Sequence, residues 1–226
     1  MVDVAASPAL PSSRLRLWAE LLSLFVGVPI LMWVFFEQIR SNGILFATIW
    51  VLAGVALLLL WQTPGWRWRS MFRGPVLSEW PILLAVSALT ALAALTFIFT
   101  MRPDIFLHLP KLSIFFWLVV MTFYPLLSAF PQEIIYRALF FERYQGLLSN
   151  TFVLIALNGF LFGFGHLFYE TWITIVMTTI GGAIMGWAYL RARSMMLAWV
   201  IHALCGQIVF TSGLGVYFYS GMVGNL

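Results

Sequence analysis

The residues of this sequence that can do chemistry are ionisable side chains inside its apolar segments. Glu133 and Arg137 lie four residues apart, and His166 and His202 follow in two later apolar stretches. Ionisable groups at membrane depth are costly, so they usually face a bundle interior or a wet cavity and serve a function. The spacing of Glu133 and Arg137 is one helical turn, so they can form an ion pair. We expect one polar cavity shared by three helices.

Three kinds of chemistry are compatible with one carboxylate and two imidazoles in such a cavity. Glu133 with one histidine can hold and deprotonate a water, while the other histidine donates to a developing oxyanion. Glu133, His166 and His202 can instead bind zinc as a His₂Glu site, or relay protons in a transporter. The helical HExxH pattern that would make zinc specific is absent from the sequence. The residues alone leave these alternatives open.

The stretch before His166 combines polar, aromatic and small residues at helical spacing. Asn158, Phe162 and His166 are spaced by four and share one helix face. Gly159 and Gly163 remove bulk nearby and favour a close helix–helix contact of the small-xxx-small kind. We therefore expect this segment to be a helix packed tightly against a neighbour.

The composition indicates a membrane protein. The chain of 226 residues is 62% hydrophobic and 9% charged, with a mean hydropathy of +0.98. Soluble domains carry about 25% charged residues. A transmembrane β-barrel would show alternating segments of about 10 residues, and these runs do not alternate. We expect an all-α, polytopic transmembrane helical bundle.

The charges and the single cysteine argue against other classes. The net charge is +4 and the pI is near 9.6, but the basic residues form no dense patch for a nucleic acid. Cys205 is the only cysteine, so no intrachain disulfide and no Cys-based zinc site can form. The N-terminal tail lacks a signal-peptide pattern, so the first apolar segment is expected to stay as a helix. His108, in a Pro-flanked loop, is interpreted as a solvated bystander.

Seven apolar runs come close to the roughly 20 residues that cross a bilayer. They are 17–36, 43–62, 80–101, 112–143, 151–168, 171–190 and 195–213. The fourth run is long and carries Pro125 and Pro131, so we expect a kink or break near both prolines. We interpret it as one long broken span, although two crossings would give eight spans in total.

Positive charge favours seven spans with a cytoplasmic N-terminus. The inner side then holds eight arginines and the outer side three basic residues, which is the bias typical of cytoplasmic loops. The inner set is Arg14, Arg16, Arg67, Arg69, Arg73, Arg143, Arg191 and Arg193, and the outer set is Arg40, Arg102 and Lys111. We expect an integral protein of a bacterial inner (plasma) membrane.

The motifs together resemble those of the CPBP family, which includes the type II CAAX prenyl proteases and bacteriocin-processing or immunity proteins. That family has an EExxxR motif, then FxxxH, then a later histidine in an apolar helix. The matching residues here are Gln132-Glu133-Ile134-Ile135-Tyr136-Arg137, then Phe162-Gly163-Phe164-Gly165-His166, then His202.

The resemblance covers about residues 112–210 and suggests a division of the chain. We expect 1–111 to form an N-terminal tail and three accessory spans. Residues 112–213 would form the core helices that carry the site, and 214–226 a short C-terminal tail.

The resemblance implies a glutamate-dependent intramembrane endopeptidase without a cofactor, which acts on a membrane-embedded or membrane-associated protein or peptide. In the family, the first glutamate and the FxxxH histidine hold the attacking water. The later histidine, with an Asn four residues on, stabilises the oxyanion. Carried over, His166 is the water partner and His202 the oxyanion donor. Arg137 braces the carboxylate and keeps it ionised.

Two positions depart from the family pattern. Gln132 stands at the first acidic position, and an amide cannot act as a general base. Glu133 would take over that role, although neighbours on a helix point about 100° apart; a break at Pro131 would re-aim one of them. Gly206 stands at the Asn position, and the adjacent Gln207 points elsewhere on the helix.

These departures support a rival interpretation, in which the chain is a catalytically weak or inactive member that acts as a binding or immunity-type membrane protein. A proton-coupled transporter is a further rival. Arg137 beside Glu133 argues against the transporter, because a carboxylate held by an arginine resists protonation.

Overall fold

The structure is a computed structural model that describes residues 11–41 and 44–218. These residues form helices joined by turns, and no β-strand occurs among them. Six helical segments are long and apolar enough to cross a membrane, and one apolar helix is shorter. They are α1 (Arg14–Val34), α2 (Leu45–Trp61), α3 (Leu77–Met101), α4 (Ile114–Leu147), α5 (Thr151–Tyr169), α6 (Trp172–Ala192) and α7 (Met195–Ser212). The predicted all-α bundle of about seven spans is confirmed.

Short helical turns connect the spans. Those outside the spans are Phe36–Ser41, Trp68–Phe72, Pro103–Ile105, His108–Leu112 and Leu214–Phe218. His108 therefore begins a short helix and is half-buried, which differs from the predicted solvated loop. Most of the predicted tails, 1–10 and 219–226, and the side chain of Arg40 lie outside the described residues. The division of the chain at 111 and 213 stays a prediction.

The long fourth run is a single helix, α4, of 34 residues. At 1.5 Å per residue it is about 51 Å long, well beyond the roughly 30 Å of a hydrocarbon core. A π-helical turn begins at Pro125 and spans Pro125–Ala129, and a second, Ile134–Leu139, follows the turn that contains Pro131. Proline removes a backbone N–H, and a widened turn accommodates the loss. The expected break is therefore a pair of π-helical turns inside a continuous helix.

The contacts at its two ends show that α4 crosses the bundle once. Near its start, Trp117 Nε1 donates to Thr211 Oγ1 of α7 at 3.0 Å. Near its end, Arg143 Nε lies 2.7 Å from Glu20 Oε2 at the start of α1. The predicted single crossing is therefore confirmed, and the two-crossing alternative is not needed.

Ion pairs tie helices together at the end of the bundle where α1 begins. Arg143 joins α4 to Glu20 of α1, and it also donates to the Leu59 carbonyl of α2 at 3.1 Å. Arg191 of α6 lies 3.0 Å from Glu79 of α3. The basic residues assigned to the inner side supply both pairs. Which side of a membrane this end faces stays a prediction.

Glycines let α5 and α6 approach closely, as the small-xxx-small spacing predicted. A Cβ added at Gly159 would lie 2.7 Å from the Thr179 carbonyl oxygen, and one at Gly163 would overlap Thr179 Oγ1. From the facing helix, a Cβ at Gly182 would lie 2.8 Å from Phe162 Cβ. This contact between α5 and α6 matters for the site because it fixes the rotation of α5, which carries Phe162 and His166.

We expect Gly159→Ala to destabilise the protein by about 1–3 kcal/mol, since the added methyl forces two packed backbones apart. Thermal unfolding of the purified protein in detergent measures the effect. Gly181→Ala is the matched control, because its Cβ would meet only Met185 Cε at 3.8 Å. A helical Gly-to-Ala change without a clash is neutral or stabilising. Equal melting temperatures for both variants would contradict the close contact between α5 and α6.

Candidate active site

A buried cluster of ionisable side chains joins α4, between its two π-helical turns, to the middle of α7. His202 Nδ1 lies 2.8 Å from Glu133 Oε1, and Arg137 Nε lies 3.1 Å from Glu133 Oε2. The side chains of Glu133 and Arg137 are fully buried. The predicted contact between Glu133 and Arg137 is therefore present, and His202 is the second partner of the same carboxylate.

Arg137 is held by charge and stacking more than by hydrogen bonds. Its contact with Glu133 is an ion pair without the alignment of a hydrogen bond, and its guanidinium nitrogens have no hydrogen-bond partner among the described residues. The guanidinium carbon lies 4.8 Å from the centroid of the Phe162 ring. Such a cation–π contact is strengthened when it is shielded from water.

His166 lies just after the α-helical part of α5, and its ring is fixed by its own helix. Its Nδ1 lies 2.7 Å from the Phe162 carbonyl oxygen. A carbonyl oxygen only accepts, so Nδ1 carries the proton and Nε2 of the neutral ring is an acceptor. The Phe162 ring contacts both imidazoles, with centroid distances of 4.8 Å to His166 and 5.4 Å to His202. The two histidines therefore lie on the same aromatic ring.

Both imidazoles line a cavity of about 680 Å³. Its walls are mostly apolar and come from α1, α2, α4, α5, α6 and α7. A volume of this size suits a ligand or a peptide segment with several side chains. The predicted polar cavity is thus a polar spot on the wall of a larger apolar chamber.

The polar residues that α4 contributes to this cavity form one stripe. Tyr124, Ser128, Gln132 and Tyr136 are spaced by four and all line the cavity. Residues four apart share a helix face, so this spacing is a signal in the sequence for Tyr124, Ser128 and Tyr136. The sequence interpretation did not use it and singled out only Gln132 from the stripe.

Glu133 differs from its expected position. It does not line the cavity, its side chain is fully buried, and its partners are Arg137 and His202. The expectation that Glu133 and both imidazoles surround one water is therefore corrected: Gln132 faces the chamber, while Glu133 lies behind His202. The reason is the angle of about 100° between neighbouring helix residues.

Gln132 is positioned by the same stripe. Its Nε2 donates to Ser128 Oγ at 3.0 Å, while its buried Oε1 has no hydrogen-bond partner among the described residues. Buried polar atoms are rarely left unsatisfied. The Oε1 atom is therefore an acceptor without a partner among the described residues, in a side chain that lines the chamber.

Gly206 and Gln207, which follow His202 on α7, both face residues of α4. Gln207 Nε2 donates to the Met121 carbonyl oxygen at 2.9 Å, so it points to α4 and not to the chamber, as expected. Gly206 lines the chamber, and a Cβ added there would overlap the phenol of Tyr124. The space beside His202 is therefore filled by an aromatic residue from α4.

The zinc alternative does not match these contacts. A His₂Glu site needs Glu133, His166 and His202 to point at one centre. Glu133 Oε1 instead accepts from His202 Nδ1, and the Glu133 side chain is fully buried and does not line the chamber that both imidazoles line. No group of three or more metal-ligating side chains is found within 11–41 and 44–218. The donor set therefore does not fit zinc.

Fold and site together define a polytopic helical membrane protein with a carboxylate–histidine pair buried beside an apolar chamber. Residues 110–208 match the family model of the type II CAAX prenyl endopeptidase Rce1-like proteins, so the chain is similar to that family over these residues. The match confirms the resemblance to the CPBP family and contains all the motif residues. No curated protein and no solved structure matches the chain.

Proposed function

We propose that this chain is a glutamate-dependent intramembrane endopeptidase, which cleaves a peptide bond of a membrane-associated protein or peptide with an activated water. The family match supports CAAX-type protease activity. The observation that carries the proposal is the 2.8 Å contact of Glu133 Oε1 with Nδ1 of His202, whose ring also lines the chamber. A carboxylate behind an imidazole fixes its tautomer and stabilises the imidazolium, as in a Ser-His-Asp triad.

His202 is the general base in this proposal. Its Nδ1–H donates to Glu133, which leaves Nε2 to accept a proton from a water in the chamber. The water oxygen attacks the carbonyl carbon of the substrate as that proton moves to Nε2, and Glu133 stabilises the imidazolium. When the C–N bond breaks, His202 returns the proton to the leaving amine and becomes neutral again.

Two further groups orient the water. The His166 ring lines the chamber with Nε2 as an acceptor, and Gln132 also lines it with an Oε1 that is buried and has no partner among the described residues. A water has two hydrogens, so one is taken by His202 and the other is accepted by His166 or Gln132. Holding the nucleophile in this way lowers the entropic part of the barrier.

The walls of the chamber support a substrate that arrives through the membrane. Phe46 of α2 and Phe123 of α4 line the chamber and are 39% and 49% exposed. We infer that the chamber opens laterally to the acyl chains of the bilayer between these two residues. We propose that the substrate enters here from the lipid phase. The membrane is proposed to be the plasma membrane of a bacterium, with the N-terminus of the protein on its cytoplasmic side.

A catalytically inactive binding or immunity-type member is the second candidate, and Gln132 favours it. The amide occupies the chamber-facing position, where it cannot take up a proton, and Ser128 holds it in place. The transporter is disfavoured, because Glu133 is absent from the chamber wall and both of its oxygens are engaged by Arg137 and His202.

The experiment uses the purified protein in liposomes with two quenched-fluorescent peptides, a farnesylated CAAX peptide and an unprenylated peptide with an apolar anchor. We expect wild type to cleave at least one of them. His166→Ala should lower kcat by about 10²-fold, because a displaced water loses its attack geometry. His108→Ala is the histidine control, since His108 does not line the chamber.

Gln132→Glu separates the two candidates in the same assay. If wild type cleaves neither peptide and Gln132→Glu cleaves one, the chain is an inactive member and the proposal is wrong. If His166→Ala and His108→Ala both cleave as wild type does, the chamber is not the reaction site.

A further inference from the structure

The chamber needs a hydrogen-bond donor for the oxyanion, and the two imidazoles do not supply one. His166 Nδ1 donates to the Phe162 carbonyl, and His202 Nδ1 donates to Glu133. In the neutral rings the remaining nitrogens are acceptors, and the proton that His202 Nε2 takes from the water goes to the leaving amine. A tetrahedral intermediate of peptide hydrolysis carries a negative oxygen, and a fixed donor aimed at it is one of the largest contributions to catalysis.

Tyr124 provides an unused donor beside His202. It lies immediately before the π-helical turn Pro125–Ala129, lines the chamber, and packs edge-on to the His202 ring at a centroid distance of 6.0 Å. A second aromatic, Phe210, fixes the phenol from the other side at 5.0 Å. The Tyr124 hydroxyl makes no hydrogen bond within the described residues, so its proton is available to a substrate oxygen.

Gly206 is the residue that makes room for this phenol. A Cβ at position 206 would overlap the Tyr124 hydroxyl and the adjacent ring atoms. Both residues line the chamber, and Gly206 lies one helical turn along α7 from His202. Any side chain at 206 would therefore push the tyrosine away from the imidazole.

We propose that Tyr124 is a catalytic residue that donates its O–H to the oxyanion during peptide hydrolysis; this inference rests on the proposed function. As water attacks, the carbonyl π electrons move onto the substrate oxygen, and the Tyr124 hydroxyl donates to that oxygen while keeping its proton. The electrons return when the C–N bond breaks. Gly206 is a positioning residue, because it acts only through the tyrosine.

Tyr124→Phe tests the donor with the same two peptides in liposomes. Removal of one oxyanion donor typically lowers kcat by about 10²–10³-fold, and KM should change little because the ring and its packing remain. Tyr144→Phe is the matched control: its hydroxyl is buried and has no hydrogen-bond partner among the described residues, and it lies in the core away from the chamber. This control should keep the wild-type kcat and a similar melting temperature.

The combination of Tyr124→Phe with Gly206→Ala tests whether the two residues act as one unit. Gly206→Ala should lower kcat by displacing the hydroxyl, but it should add little in the Tyr124→Phe background, where no donor is left to displace. Independent, multiplying losses would overturn the inference. So would a Tyr124→Phe variant with the wild-type kcat in a wild type that cleaves. A wild type that cleaves neither peptide overturns the proposed function as well.

Discussion

His202→Ala is expected to lower kcat for peptide cleavage by about 10²–10⁴-fold, the usual contribution of a general base. The loss follows from the position of His202 between the buried Glu133 carboxylate and the chamber. No other imidazole has a carboxylate at its Nδ1, since His166 bonds only a backbone carbonyl there among the described residues. Initial rates with the cleaved peptide, at saturating and at low concentration, measure kcat and KM separately.

The double variant His202→Ala/Glu133→Gln checks that the carboxylate acts through the imidazole. Groups that work as one unit show strongly non-additive losses. The double variant should therefore be no slower than His202→Ala alone, within a few-fold. If the two losses multiply, Glu133 acts directly on the water, and the role proposed for His202 is wrong. A His202→Ala variant with the wild-type kcat would have the same consequence.

Arg137→Met is expected to lower the free energy of unfolding by about 3–5 kcal/mol, because removal of one partner leaves a buried charge without compensation. The Glu133 carboxylate is fully buried, and only the His202 contact would remain to it. Methionine keeps most of the volume packed on the Phe162 ring, so the change acts chiefly on charge. Denaturation of the purified protein in mixed micelles measures the loss.

Arg137→Met combined with Glu133→Gln provides the internal control for this prediction. With both charges removed, the loss should be clearly smaller than the sum of the single losses, since neither charge is stranded. Arg102→Met is the surface control. Arg102 and Asp104 form an exposed pair at 2.7 Å, and solvent screens such pairs. Equal losses of unfolding free energy in Arg137→Met and Arg102→Met would show that Arg137→Met does not leave a buried charge at Glu133 without a partner.

The spans were predictable because each apolar run is a local property of the chain. A helix that satisfies its own backbone hydrogen bonds is stable in lipid whatever its neighbours are. The runs 80–101 and 195–213 were therefore recovered almost to the residue as Leu77–Met101 and Met195–Ser212. The close contact at Gly159 and Gly163 was also predictable, since small residues four apart commonly let two packed helices approach closely.

The site was predictable in its residue types but not in its arrangement. The motifs correctly brought Glu133, Arg137 and His202 together. They did not decide whether Gln132 or Glu133 faces the chamber, because that depends on the rotation of α4 about its own axis. The rotation is set by two π-helical turns and by the neighbouring helices.

The sequence by itself determined a helical membrane protein, its approximate number of spans and the residues of a candidate site. Only the tertiary structure decided that the carboxylate lies behind His202 and that Tyr124 fills the space over Gly206. The physical reason is the distance along the chain over which each kind of interaction acts. Hydropathy and motif spacing act within one helix, whereas the direction of a side chain into a shared chamber depends on contacts between helices that lie far apart in the chain.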